Sequence, residues 1–211
     1  MKYSHVVFDI DGTLIDTEKA VLISLQKTIL EVKGIKKDLD ELKFALGIPG
    51  KDALIKLGIE DLEKVECIWT EFFNEYSDEI CVFDGIRKIL QELKSNFITL
   101  GIITSKTRKE YEDDFMKFGL DDYFNAVICA DDTIKHKPNS EPMEEYLKYT
   151  NAKKEDTIYI GDSIYDVMCA TNAGVDSALA LWGRDDSDNI KSTYYLNCPN
   201  DILNILFNKS C

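Results

Sequence analysis

The 211-residue sequence lacks the patterns that mark thiolate-metal, secreted and membrane proteins. Its six cysteines show no C-x-x-C spacing, and its two histidines form no group with them that would hold zinc. No apolar run is long enough to span a bilayer. The first residues lead directly into a strand-like segment and do not resemble a signal peptide. We therefore expect a cytoplasmic protein whose cysteines are buried free thiols.

Positive charge is also scarce. The sequence has 25 Lys and Arg against 39 Asp and Glu, which gives a formal net charge of −14. This excess of negative charge excludes nucleic acid and anionic membrane surfaces as expected partners. An anionic small molecule would have to be attracted by local positive charge. We expect the protein to be a monomer or a weak homodimer, and the sequence favours neither state.

The order of apolar patterns predicts an α/β fold with a doubly wound parallel, Rossmann-like sheet. A first short strand precedes a stretch that shows helical spacing only, and strands then alternate with helices. We therefore predict a core formed by residues 1–14 and 84–211, with residues 15–83 inserted as a small α-helical cap domain. The later strands are predicted at Phe97–Ile103, Ala126–Ala130, Thr157–Ile160 and Ser177–Trp182.

The first strand ends in the motif Asp9-Ile10-Asp11-Gly12-Thr13. Gly12 allows a sharp turn, so two carboxylates stand at the carboxyl end of the strand, where ligands bind in open α/β sheets. Carboxylates crowded in this way repel each other unless a cation separates them or one takes a proton. An isolated motif of this kind is more often a solvated turn, so its meaning depends on the rest of the chain.

Other segments place polar residues at the same predicted edge of the sheet. Thr104-Ser105 follows the second strand, Lys137-Pro138 lies in the loop after the third, and Gly161-Asp162-Ser163 ends the fourth, with Asp166 four residues after Asp162. These residues would supply acids for a hard cation, and a hydroxyl group and a lysine for phosphate oxygens. Because Mg²⁺ prefers a few carboxylate oxygens, the set indicates magnesium.

Taken together, these four motifs resemble those of the haloacid dehalogenase-like phosphohydrolases, in the same order and over nearly the whole chain. The resemblance implies that Asp9 is the nucleophile and a metal ligand, and that Asp11 is the general acid and base. It further implies Mg²⁺ as cofactor, and it implies which residues bind the metal and which bind the substrate. The implied metal set is Asp9, Asp11 through its backbone carbonyl, Asp162 and Asp166; the implied substrate contacts are Gly12, Thr104, Ser105 and Lys137.

Several of these residues have simpler interpretations. Thr104 could cap the following helix, and Asp166 could be a solvated acid in the first turn of a helix. Lys137 could be an ordinary surface lysine, although its position before Pro138 favours the catalytic role. Ser140 departs from the family pattern, in which a proline often stands at this position.

The substrate is less clearly indicated. The run Asp16-Thr17-Glu18-Lys19-Ala20 resembles the phosphoglycolate phosphatase and pyrophosphatase branch, which implies a small phosphorylated metabolite or pyrophosphate as substrate. A β-phosphoglucomutase-like phosphomutase and a non-catalytic binding protein are the alternatives. The loop Gly47-Ile48-Pro49-Gly50 either faces the site, with Lys51 as a candidate contact, or simply connects two helices.

Overall fold

The computed structural model describes residues 2–183 and 190–207, and within them the predicted α/β architecture is confirmed. Six strands form one sheet in the order β5-β4-β1-β6-β7-β8, and every neighbouring pair is parallel. The strands of this sheet are β1 His5–Phe8, β4 Thr99–Ile103, β5 Ala126–Ile128, β6 Thr157–Gly161, β7 Asp176–Ala180 and β8 Tyr194–Leu196. The first strand of the sequence therefore lies between β4 and β6, near the middle of the sheet.

The two faces of the sheet are covered by helices because successive residues of a strand point to opposite sides. Val6 and Phe8 of β1 belong to one apolar cluster, and Val7 belongs to the other. Helix α5 Ile86–Ser95 packs on the first face, and helices α7 Glu141–Thr150 and α8 Ile164–Ala173 pack on the second.

The segment between β1 and α5 is largely helical and has an apolar core of its own. Its α-helices are α1 Glu18–Lys33, α2 Leu39–Leu42, α3 Gly50–Lys56 and α4 Leu62–Asn74. A separate cluster that includes Leu25, Ile29 and Leu54 lies among these helices. None of the described residues in this segment joins the main sheet, which supports its predicted treatment as an insert.

The prediction that the insert is all-helical was wrong at its two ends. Strand β2 Ile15–Asp16 pairs antiparallel with β3 Cys81–Val82, with Ile15 opposite Val82. The outgoing and returning chains run side by side, so their backbone groups can satisfy each other. A pair of two-residue strands is too short to produce a periodic sequence pattern.

Further differences lie in the second half of the chain. The apolar spacing predicts one helix over Lys109–Phe118. The structure instead has one α-helical turn, α6 Arg108–Glu110, followed by a π-helical segment at Tyr111–Phe115 and a 3₁₀ turn at Met116–Phe118. Strand β8 was not predicted, because a three-residue edge strand carries little pattern. The last helix, α9, spans Asp201–Phe207.

The cysteine prediction was correct about pairing but wrong about burial. The five cysteines in the described part of the chain are free thiols, and Cys129 and Cys169 are buried. Cys67, Cys81 and Cys198 are exposed. The sixth, Cys211, lies outside the described residues, as do both ends of the predicted core range. Within the described chain, no helix combines the length and the apolar character needed to span a bilayer.

Candidate active site

The carboxyl ends of β1, β4 and β6 bring the predicted motif residues to one edge of the sheet. Asp9 directly follows β1, and its amide donates to the Ile160 carbonyl of β6 at 2.9 Å. Thr104 directly follows β4, and its amide donates to the Ile128 carbonyl of β5 at 3.0 Å. Sheet hydrogen bonds therefore hold the backbone of both motif residues at this edge.

Lys137 lies at the centre of a buried group of charges. Its Nζ is 2.9 Å from Asp9 Oδ1 and 2.7 Å from Asp166 Oδ1, and all three side chains are at most 3% exposed. Burial lowers the pKa of Lys137, but the two carboxylates outweigh this effect, so its pKa lies above the usual range. Lys137 is therefore a buried cation bridging two acids, and the interpretation as a surface lysine was wrong.

Tyr159 on β6 supports this lysine and was not predicted from the sequence. Its hydroxyl lies 3.0 Å from Asp166 Oδ1, 2.9 Å from the Ile103 carbonyl and 3.3 Å from Lys137 Nζ. Burial raises the pKa of Tyr159 well above its usual value, and the nearby negative charges of Asp166 and Asp9 add to this. The phenol is therefore neutral and can give its single proton to one acceptor at a time.

Asp166 is in the first turn of α8, as the simpler interpretation proposed, but it is only 1% exposed rather than solvated. Its Oδ2 accepts from the amide and the hydroxyl of Ser163, and Ser163 Oγ in turn accepts from the Asp166 amide in a capping box. Its Oδ1 accepts from Lys137 and faces Tyr159. Both oxygens are thus occupied by protein donors, which suits Asp166 to holding Lys137.

Asp9, Asp162 and Asp166 form a group whose oxygens lie within 4.8 Å of one another. Burial raises the pKa of Asp9 well above its usual value; Lys137 opposes this rise, and the charges of Asp166, Asp162 and Asp11 add to it. A further cation at this position would offset that excess of negative charge. Hard carboxylate oxygens in this arrangement suit Mg²⁺.

Gly12 shapes the turn that follows Asp9. Its φ of +77° lies in the left-handed region, and a Cβ built on it would lie 2.3 Å from Asp162 Oδ2. Only glycine therefore allows this turn to approach the Asp162 carboxylate so closely. The Gly12 amide donates to the Ile15 carbonyl at 2.9 Å, so it is engaged within the turn.

Asp11 occupies a different environment from Asp9. Its side chain is 25% exposed, and its buried Oδ1 accepts no hydrogen bond from the described residues. Lys106 Nζ lies 3.4 Å from this oxygen and donates to Asp114 Oδ2 at 2.9 Å. Neither Lys106 nor Asp114 was predicted from the sequence as a site residue. The one feature of the sequence that could have indicated Lys106 is its position directly after the Thr104-Ser105 motif.

Thr104 and Ser105 play different structural parts. Thr104 is 4% exposed, and its Oγ1 accepts from the Lys106 amide at 3.2 Å. The N-cap of α6 is Thr107, so the proposed capping role of Thr104 was wrong. Ser105 Oγ donates to the Gly47 carbonyl of the inserted segment at 2.9 Å.

The Gly47–Gly50 loop therefore faces this edge of the sheet. A Cβ on Gly47, whose φ is +82°, would lie 2.9 Å from Ser163 Oγ. Lys51, in contrast, lies 3.8 Å from Glu66 within the insert and is 59% exposed. Trp182 closes another part of the rim, where its Nε1 donates to the Thr13 carbonyl at 3.0 Å.

The family model for haloacid dehalogenase-like hydrolases matches residues 6–180 of this chain. The chain belongs to this family. The resemblance inferred from the four motifs is thus confirmed, and so is the enzyme class, a hydrolase that acts on phosphate esters.

Full-length relatives refine the comparison. The chain is 30% identical over 210 residues to a protein of Bacillus mycoides named pyrophosphatase PpaX, with 98% of both chains covered. A protein of the same name from Halalkalibacterium halodurans is also 30% identical, again over 98% of both chains.

Solved structures of the family share the fold. A protein of Lactobacillus plantarum, whose phosphoglycolate phosphatase activity is itself an assignment, superposes with a TM-score of 0.87 at 29% identity, covering 97% of this chain and all of that one. A Thermotoga maritima protein, assigned in the same way as a β-phosphoglucomutase, has a TM-score of 0.76 at 24% identity, covering all of both chains. The second likeness concerns the fold alone.

Proposed function

We propose that this protein is a Mg²⁺-dependent phosphatase that hydrolyses a small phosphate monoester, such as a phosphoglycolate-like metabolite, or pyrophosphate, through a phosphoryl group carried on Asp9. The observation that carries the proposal is the contact between Lys137 and Asp9 within the group of three carboxylates. A buried carboxylate held by a lysine is a fixed nucleophile, and the adjoining acids provide the hard oxygen ligands that magnesium needs.

The first step transfers the phosphoryl group to the enzyme. An Asp9 carboxylate oxygen bonds to phosphorus, the bond from phosphorus to the leaving oxygen breaks, and Asp11 gives its proton to that oxygen. Lys137 keeps the Asp9 carboxylate in one orientation. Its positive charge also reduces the repulsion between the anionic nucleophile and the anionic phosphoryl group.

The second step releases phosphate. Asp11, now a carboxylate, takes a proton from a water molecule, which attacks phosphorus and restores the Asp9 carboxylate. Asp11 suits this exchange because its side chain is partly exposed and its Oδ1 accepts no hydrogen bond from the described residues. In this proposal the hydroxyl group of the buried Thr104, which directly follows β4, contacts the phosphoryl oxygens.

The residues at the site fit a magnesium ion. Asp9 and Asp162 would hold it together with the backbone carbonyl of Asp11, while Asp166 would act mainly by holding Lys137. When bound, Mg²⁺ offsets negative charge on the nucleophile and the phosphoryl oxygens. The raised pKa of Asp9, caused first by burial and then by neighbouring carboxylates, supports the need for this cation.

The relatives support the choice of substrate class. The full-length matches named pyrophosphatase and the structural neighbour assigned as a phosphoglycolate phosphatase point to small, highly charged substrates. A phosphomutase is the second candidate. It is favoured by the hydrogen bond between Ser105 and Gly47, which brings the insert against the site and would help to exclude water.

The first test concerns magnesium and Asp9. We expect the wild-type enzyme to release phosphate from p-nitrophenyl phosphate, phosphoglycolate or pyrophosphate with Mg²⁺, and to lose turnover after exhaustive dialysis against a chelator. Asp9→Asn should lower turnover by at least about 10⁴-fold, on the scale seen for other removed nucleophiles. It should also abolish the phosphoenzyme detected by mass spectrometry after acid quenching.

The matched control for this test is Asp84→Asn, which makes the same chemical change at an exposed position of the core. It should retain turnover and the phosphoenzyme. Full activity in excess chelator, or a phosphoenzyme in Asp9→Asn, would refute the proposal. Interconversion of glucose 1-phosphate and glucose 6-phosphate without phosphate release would instead identify the phosphomutase.

A further inference from the structure

Lys106 contacts Asp11, whereas Lys137 contacts Asp9, the proposed nucleophile. Lys106 Nζ is 3.4 Å from Asp11 Oδ1, and its side chain is only 10% exposed. In the proposed reaction the leaving oxygen must lie within hydrogen-bond reach of Asp11, since Asp11 protonates it. Lys106 Nζ is thus beside the position of the leaving group, whereas Lys137 is beside Asp9.

The charge of Lys106 is held in place by the fold. Asp114 Oδ2 accepts from Nζ at 2.9 Å, and Asp114 belongs to the π-helical segment Tyr111–Phe115. A π-helical turn shifts its residues around the helix axis relative to an α-helix, and such turns are frequent at functional sites. Here the segment brings the Asp114 carboxylate into contact with Lys106. The preceding residue, Asp113, instead pairs with the exposed Lys109, with 3.0 Å between Asp113 Oδ2 and Lys109 Nζ.

The lysine also remains charged and has donors to spare. Two carboxylates, those of Asp11 and Asp114, lie within 3.4 Å of its Nζ and favour the charged form. Among the described residues, Nζ donates one hydrogen bond, to Asp114, and its contact with Asp11 is an ion pair at 3.4 Å. An ammonium group has three donors, so this one can bind a further acceptor.

The inserted segment encloses the same position. Phe73 of α4 places its ring centroid 5.4 Å from Lys106 Nζ. The adjacent Ser105 holds the Gly47 carbonyl of the insert. A group attached to the leaving oxygen would therefore lie between the insert and the core, where partial exclusion of water strengthens a contact with a charged amine.

We propose that Lys106 is a specificity-determining residue that binds negative charge on the leaving group, so that the enzyme prefers substrates whose leaving group is itself anionic. This inference rests on the proposed function and narrows its substrate class to phosphate anhydrides and carboxylate-bearing phosphate esters. Lys106 transfers no proton. The phosphorus–oxygen bond breaks as before, Asp11 supplies the proton, and Lys106 forms a salt bridge with the departing carboxylate or phosphate.

The experiment compares two substrates with the same reacting centre. Phosphoglycolate and ethyl phosphate both release a two-carbon alkoxide, but only the first carries a carboxylate. We expect Lys106→Met to lower kcat/KM for phosphoglycolate by about 10–100-fold, the loss typical of a hydrogen bond to a charged group. The loss for ethyl phosphate should be less than about threefold, and Lys106→Arg should restore part of the difference.

Neighbouring residues supply a second variant and matched controls. Asp114→Asn should reduce the same preference by a smaller factor, because Lys106 loses its anchor, and it keeps the test available if Lys106→Met does not fold. Asp113→Asn and Lys109→Met make the same changes at the exposed pair and should leave the preference unaltered. Circular dichroism and thermal melting establish that each variant is folded.

Each outcome has a defined meaning. If the wild type hydrolyses neither ester nor pyrophosphate with Mg²⁺, the proposed function fails and this inference fails with it. If the wild type is active but Lys106→Met loses both esters equally, Lys106 only positions Asp11, and the inference alone is overturned. An unchanged ratio in both Lys106→Met and Asp114→Asn would overturn it as well.

Discussion

Lys137 and Lys106 bring positive charge to the same edge of the sheet, but their surroundings differ. Lys137 is buried between Asp9 and Asp166 and is supported by Tyr159. Lys106 donates a hydrogen bond to Asp114, forms an ion pair with Asp11 and lies at the junction with the inserted segment. The half of the site around Lys137, the nucleophile side, is fixed by many contacts. The half around Lys106, the leaving-group side in the proposed reaction, is held by fewer contacts, and the Lys106 side chain is 10% exposed.

The proposed reaction gives the two halves different tasks, which would explain this difference. The phosphoryl group is the same in every substrate of a phosphatase, so the residues that face it can be held rigidly. The leaving group varies, so the residues that face it decide specificity. The contrast predicts that changes on the nucleophile side affect all substrates alike, whereas changes on the leaving-group side depend on the substrate.

The largest effect should come from Lys137→Met. Removing one partner of a buried charge group typically costs about 3–5 kcal/mol in the free energy of unfolding, and activity should fall for every substrate. Without Lys137, the pKa of Asp9 should rise further above its unfolded value. A raised carboxyl pKa gives stability that is lost as pH rises, so urea denaturation should show a larger deficit at pH 8 than at pH 5.

Lys109→Met is the control, because Lys109 is 84% exposed and pairs with Asp113 on the surface. Its free energy of unfolding should change by less than about 1 kcal/mol at both pH values. A deficit in Lys137→Met that does not depend on pH would contradict the buried charge group as the cause.

Asp11→Asn should have an intermediate effect that depends on the leaving group. General acid catalysis raises rates by about 10²–10⁴-fold, so phosphoryl transfer from ethyl phosphate to Asp9 should slow by that factor. Transfer from p-nitrophenyl phosphate should slow much less, because its leaving group needs little protonation. Burst kinetics separate this step from hydrolysis of the phosphoenzyme, which should be slow for both substrates. Equal slowing of the first step for both would contradict the division between the two sides.

The smallest effect should come from Tyr159→Phe. This change removes one hydroxyl from the nucleophile side and leaves the ring in place. Loss of a buried hydrogen bond to a charged group should lower the free energy of unfolding by about 1–3 kcal/mol. Relative rates for phosphoglycolate and ethyl phosphate should stay constant. A change in their ratio would show that the two sides are coupled.

Much of the nucleophile side could be predicted from the sequence, because two of its acids stand where strands end and Lys137 stands before a proline in the loop after a strand. Asp9 and Asp162 follow β-branched apolar runs, and the topology of a parallel sheet brings such ends together. Tyr159 escaped notice since it lies within an apolar strand, where an aromatic residue reads as core.

The leaving-group side was harder to predict because it depends on packing. Lys106 and Asp114 are ordinary surface residue types in a segment that reads as a helix, and one more lysine among acids carries no distinct pattern. Their contact depends on the π-helical segment, a local change in hydrogen bonding that spacing alone does not indicate. The short strands β2, β3 and β8 were missed for a similar reason, since two or three residues do not establish a period.

The antiparallel pair of β2 and β3 has a consequence for how this chain is organised. Ile15 lies opposite Val82 and Asp16 opposite Cys81, so the insert leaves and returns at one point. In topological terms the insert is a hairpin loop that has been enlarged into a folded unit with its own apolar core. Closing a loop costs little more entropy as the loop grows, so the core can accept insertions of very different length here. The pairing of β2 with β3 thus gives a fixed attachment point, at which the same α/β core could carry inserted domains of different size.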